Sequence, residues 1–195
     1  MPARGFAQFR VSIRAAVRGL WSGKWDGDDF LADMVSVIDR GFTGAWRAGA
    51  AECGINPIDY SPEEKAALQT VILGQYPHLV NFMLAIEAGS KANGGKLMPL
   101  MRRAEMWIGR YNEVLSQART MACGDEKLTW TLGPTEHCIS CAKLSGKTKR
   151  ATYWQKVRAI GVYPKSPSLE CKGFKCQCQL LRSEAPVSKG PLPSI

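Results

Sequence analysis

Five of the seven cysteines crowd into residues 138–178. Residues 137–146 read HCISCAKLSG, and residues 171–178 read CKGFKCQC. Cys138 and Cys141 form a C-x2-C pair, and Cys171, Cys176 and Cys178 follow after 29 intervening residues. A C-x2-C turn lets two thiolates converge on one ion while neighbouring backbone N–H groups point at the sulfurs. Two such loops facing each other build a tetrahedral four-cysteine zinc site. The gap is longer than in an ordinary zinc ribbon, and the second group is not C-x2-C. Five thiols therefore compete for four positions. The favoured set is Cys138, Cys141, Cys171 and Cys176, with Cys178 as an alternative to one of them and His137 as an adjacent further donor. A redox C-x-x-C needs a thioredoxin-like βαβ setting, which the sequence lacks, and no standard iron–sulfur spacing fits.

Four thiolates leave a zinc ion no open position for water, so the expected role of Zn2+ is structural. The zinc deaminase signature requires H-x-E followed by P-C-x-x-C, whereas Glu136-His137-Cys138 has the wrong order. No glycine-rich phosphate loop, nucleophile elbow or paired-histidine helix occurs, and the chain has only two histidines. No enzymatic activity is expected. His78 and the remaining cysteines, Cys53 and Cys123, are read as structural, the two cysteines as small buried side chains.

The elements that must position the cysteines are announced by charge. Residues 1–125 hold 14 Lys and Arg against 13 Asp and Glu, a balance of +1, whereas residues 126–195 hold 12 against 4, a balance of +8. A near-neutral body thus carries a basic, cysteine-rich end, as expected for two regions with different tasks. At 45% apolar and 22% charged residues, the 195-residue chain has a globular rather than a disordered composition. No apolar run reaches the roughly 18 residues of a membrane span. Arg10, Arg14 and Arg18 interrupt what would be the apolar centre of a secretory leader.

The periodicity predicts an α+β chain with about four helices in residues 1–125. Phe6, Phe9, Ile13, Val17 and Leu20 share one helical face beside a stripe of Arg10, Arg14 and Arg18. A second helix follows Asp26–Asp29 with Phe30, Met34, Val37, Ile38, Phe42, Ala45 and Trp46 as its apolar face. Ser61-Pro62-Glu63-Glu64 has the form of a capping box with proline at the first helical position, and Pro77 should kink or interrupt the helix it opens. A fourth helix spans Leu97 to Ala122. Residues 126–184 form the zinc-binding module, with short strands at Leu128–Leu132 and Gln177–Leu181 brought together by the ion. Residues 185–195, with three prolines, are expected as a flexible tail.

The stretch from Leu128 to Leu181 resembles the C-terminal region of the phage Mu F-like head morphogenesis proteins, also called minor head or minor capsid proteins. That family has a tryptophan-containing strand, a Cys or His followed at fixed offsets by Leu and Gly, a proline-rich crossing, and a closing His-Pro-x-Cys-Arg-Cys before an apolar strand. Trp130 supplies the tryptophan, Cys141, Leu144 and Gly146 keep the offsets, Pro164 and Pro167 lie in the crossing, and Cys176-Gln177-Cys178-Gln179-Leu180 matches the closing motif. Cys171 replaces the histidine, Lys172-Gly173-Phe174-Lys175 lengthens the loop, and Gln177 replaces the arginine. The added Cys138 and Cys171 are similar to the cysteine-rich branch of the family, where bound zinc is the natural reading. The resemblance covers about 55 residues and carries over no catalytic residue.

The resemblance implies a virion or procapsid component, in the bacterial host cytoplasm during assembly, with portal or capsid proteins as partners. The basic module could also contact packaged DNA. The competing reading is a nucleic-acid-binding zinc regulator. There Lys143, Lys147, Lys149, Arg150, Lys156, Arg158, Lys165, Lys172 and Lys175 would meet phosphates, while Tyr153, Trp154 and Tyr163 would stack on bases. No helix-turn-helix or paired Cys/His finger spacing accompanies it. The large apolar residues Phe6, Phe9, Trp21, Trp25 and Trp46 and the arginine stripe are expected to leave a patch for a partner.

Overall fold

Capping chemistry sets where the helices begin. The Asp26 carboxylate accepts a 2.8 Å bond from the Asp29 N–H at the start of the second helix. Ser61 and Glu64 form the reciprocal capping box: the Ser61 hydroxyl accepts from the Glu64 N–H and the Glu64 carboxylate from the Ser61 N–H. In this computed structural model, which describes residues 2–124, 126–134, 136–174 and 176–195 and side chains from residue 5 onward, the fold is α+β. Helices α1 (Pro2–Trp21), α2 (Gly27–Ala51), α3 (Pro62–Leu73), α4 (Tyr76–Ala88) and α5 (Leu97–Ala122) come first, with a 3-10 turn at Pro57–Asp59. Strand β1 (Lys127–Thr131), helix α6 (Ile139–Leu144), strand β2 (Thr148–Arg150), helix α7 (Ala151–Arg158) and strand β3 (Gln179–Arg182) complete the chain.

Pro77 interrupts the third helix as expected, so among the described residues the helical region has five α-helices rather than four. A proline lacks the N–H that a helix interior needs but costs nothing in a first turn. The chain accordingly ends α3 at Leu73 and restarts α4 with Pro77 in its first turn.

The chain packs as two compact units, residues 1–48 with 57–115, and residues 49–56 with 116–195. In the first, Phe9 lies 5.8 Å from Phe42 and 5.5 Å from Tyr111, and Phe82 lies 4.8 Å from Trp107. Gly41 lets α1 come close to α2, because a Cβ there would stand 2.2 Å from the Phe9 ring. Of the aromatic side chains expected at a partner surface, Phe9 and Trp46 are buried in this core, while Phe6, Trp21 and Trp25 are half-buried. Full burial of a large aromatic such as Phe9 or Trp46 is worth about 2–3 kcal/mol. The arginine stripe is also partly covered, since Arg14 pairs with Glu105 of α5.

The second unit is built on a three-stranded antiparallel sheet of order β2-β1-β3. Thr129 pairs with Thr148 on one side and with Leu181 on the other. Leu128 and Trp130, two residues apart on the central strand, are fully buried and pack with Leu144, Ala151, Trp154, Leu169 and Leu180. Trp154 donates its indole N–H to the Leu128 carbonyl at 2.9 Å. The module therefore has a hydrophobic core of its own and does not rely on an ion alone, a correction to the sequence reading. Strand β2 and helices α6 and α7 went unforeseen, being three, six and eight residues long, too short for periodicity to register.

Two further connections tie this unit. Cys53 and Cys123 form a disulfide across 70 residues, a pairing that two isolated cysteines so far apart do not reveal in sequence. Closing such a loop is worth about 4 kcal/mol in the chain-entropy account. Arg119, almost fully buried, pairs with Glu52 and donates to the Leu180 carbonyl of β3. The last segment is held in place as well. Lys149 donates to the Ser188 and Gly190 carbonyls, the Ser188 hydroxyl accepts from the Thr148 N–H at 3.0 Å, and Leu192 packs on the core. Its prolines exclude helix and strand, but β2 and Lys149 still offer it partners. Arg119→Met, which strands the Glu52 carboxylate and the Leu180 carbonyl, should lower the unfolding free energy by about 2–4 kcal/mol. Arg14→Ala, at a more exposed pair, should cost under about 1 kcal/mol. Urea denaturation of the two variants checks the difference.

Candidate metal centre

Each cysteine is delivered by a defined turn. Cys138 is the N-cap of α6, with its sulfur facing the Cys141 N–H at 3.5 Å. Cys141 lies on the buried side of that helix, which ends before Gly146. There the backbone turns with φ 73°, a left-handed conformation suited to glycine. The Gly146 N–H then bonds the Trp130 carbonyl at 2.9 Å, tying α6 back to β1. Cys171 lies in a loop with positive φ at Lys165, Lys172 and Gly173. A Cβ on Gly173 would stand 2.2 Å from the Lys165 carbonyl oxygen, so the loop closes on itself at this point. Cys176 and Cys178 are on the approach to β3, one turn of the pleat apart, and both are buried.

The structure brings all five sequence-predicted cysteines together. Cys138, Cys141 and Cys171 form one group and Cys141, Cys176 and Cys178 another, the sulfurs within each group lying within 4.8 Å of one another. Cys141 Sγ is 3.9 Å from Cys176 Sγ, and Cys178 Sγ is 3.9 Å from His137 Nδ1. Four thiolates at about 2.3 Å from a tetrahedral ion stand about 3.8 Å apart, so Cys141 and Cys176 are already near ligand spacing. The cluster could hold a metal ion.

The local electrostatics fit soft-metal binding. Cys176 is lowered to about 5, mainly because the Cys178 S–H donates to it, against the cost of burial and aided by the N–H groups of Cys178 and Lys165. Cys138 is also lowered: burial opposes ionisation, but the N–H groups of Cys141 and Cys171 outweigh it. Burial pushes Cys171 up to about 11 despite the Gly173 N–H. Cys141 is raised by burial and by the neighbouring Cys176, and Cys178 by donating its proton to Cys176 and by burial. The thiolate is thus favoured at Cys138 and Cys176 and disfavoured at Cys141, Cys171 and Cys178, whose protons a cation must displace. The N–H donors that face the sulfurs were not named residue by residue in the sequence, although the C-x2-C turn implies one of them.

Several residues proposed for nucleic-acid stacking have other roles. Trp154 is buried, Tyr163 lies beneath the Arg158 guanidinium at 4.1 Å, and Tyr153 faces Lys149 at 5.1 Å. Lys149 itself is buried. Lys143, Arg150, Lys156 and Lys172 are exposed, while Lys175 lies outside the described residues. Among the described residues, no helix is long and apolar enough to cross a membrane. Comparisons with family models, curated proteins and solved structures find no match for this chain.

Two outcomes follow from this geometry. Metal binding should release protons, and affinity should fall as the pH drops, because Cys141, Cys171 and Cys178 must lose protons held above the ordinary thiol range. Calorimetry in buffers of different ionisation enthalpy reads the protons released. Metal removal should free residues 136–144 and 165–174 to exchange amide hydrogens while the Trp130–Trp154 core stays protected. Concerted loss of protection over residues 116–195 would show instead that the ion holds the whole unit.

Proposed function

We propose that this chain is a phage minor head protein acting in head morphogenesis, with a zinc-stabilised basic module. The observation that carries this reading is where the residues of the resemblance lie. Trp130 anchors the central strand, Cys141 and Leu144 project into the same core from α6, and Gly146 makes the turn into β2. The closing Cys176–Leu180 run leads into β3 beside Trp130, with Trp130 paired to Leu180. Motif residues scattered over about 55 positions thus converge on one packed unit, as parts of a single module should.

In this reading Zn2+ would be held by cysteines of the cluster and would supply cross-linking rather than reactivity. Soft thiolate donors favour zinc over hard cations such as magnesium or calcium. The module would serve as a rigid, positively charged end beside packaged DNA, and the helical unit would meet the portal or inner capsid. Non-specific phosphate contact fits the exposed lysines better than base reading does, since Trp154 is not available to stack.

Copurification tests the assembly role. The wild-type chain should be recovered with portal-containing procapsids. Arg10→Glu/Arg18→Glu, at two exposed positions of α1, should fold normally but fail to enter heads. Recovery of the wild-type protein only as a free monomer would overturn the reading. Selective, salt-resistant binding to one DNA sequence would favour the regulator instead.

A further inference from the structure

The arrangement of the sulfurs raises the question of how many ions they hold. A single four-cysteine site needs four sulfurs that are all mutually near. Among the described residues, the mutually close groups are two triads, Cys138–Cys141–Cys171 and Cys141–Cys176–Cys178, sharing only Cys141. No such group contains four of the five sulfurs. A fifth thiol left over from a one-ion site would also be a buried, unused donor if it were Cys178.

We infer that the cluster is a two-zinc centre in which the Cys141 thiolate bridges the ions. The first ion takes Cys138, Cys141 and Cys171, with solvent as its fourth ligand, reached past the half-buried Cys138 and Cys171. The second takes Cys141, Cys176, Cys178 and the imidazole of His137, whose Nδ1 is 3.9 Å from Cys178 Sγ. A thiolate has more than one lone pair and can ligate two ions. A bridge at Cys141 is the simplest way for two triads with one common member both to be filled. Charge favours the arrangement too. Two Zn2+ with five thiolates carry a net charge of −1, whereas one Zn2+ with four carries −2 and leaves a protonated thiol beside it. On binding, each cysteine that still carries a proton loses it to solvent, and no electron transfer is involved.

This inference rests on the cluster's binding zinc but not on a role in head assembly, so the two can fail separately. Native mass spectrometry of the full-length, zinc-loaded chain should show two zinc ions per molecule. Cys178→Ser and His137→Ala should each retain one, and Cys141→Ser should disrupt both. Replacing zinc with cadmium-113 should give two resonances split by coupling through the shared sulfur. One zinc in the wild-type chain, or two cadmium signals without coupling, would overturn the bridged centre. One ion would preserve the single-site reading, and none would remove the metal reading altogether, while portal copurification would be unaffected by either result.

Discussion

Five thiols packed as two triads that share Cys141, the sulfurs of each within 4.8 Å of one another, repel when ionised, and a cation relieves that repulsion. Burial raises Cys141 and Cys171, and donation to Cys176 together with burial raises Cys178, while the Cys178 S–H favours the Cys176 thiolate and directed N–H groups favour that of Cys138. Cys141 is where the constraint concentrates, because it belongs to both triads and sits on a six-residue helix too short to be stable alone. That helix keeps its place through Leu144 in the core and through the return of Gly146 to β1.

The rest of the unit holds this arrangement at its ends. Trp130 and Trp154 fill the space between sheet and α7, and Arg119 grips the β3 carbonyl next to the second triad. The Cys53–Cys123 disulfide ties the end of α2 to the end of α5, just before β1 begins. The loops that carry the cysteines are thereby flanked by a packed hydrophobic core.

What was legible in the sequence was whatever is encoded locally. The Ser61 capping box, the proline break at Pro77, the limits of α5 and the strand around Trp130 are all decided within a few residues. The five metal-ligating candidates were equally plain, because thiols in such density have few other uses. The Cys53–Cys123 bridge was not legible, since it depends on two helix ends meeting across 70 residues. The docking of residues 185–195 depends on Lys149 and β2, which a tail's own composition does not reveal. The burial of Phe9 and Trp46 was not legible, because periodicity shows that a face is apolar but not what will cover it. The division of the sulfurs into two triads requires the three-dimensional path of the 165–178 loop.

The central claim is that these cysteines are metal ligands rather than merely neighbouring thiols. X-ray absorption at the zinc edge of the purified full-length chain tests it most directly. The account predicts a first shell dominated by sulfur at about 2.3 Å, with Cys138, Cys141, Cys171, Cys176 and Cys178 protected from alkylation until the metal is removed. A first shell of only oxygen and nitrogen, or ready alkylation of these five cysteines in the folded zinc-loaded protein, would contradict it.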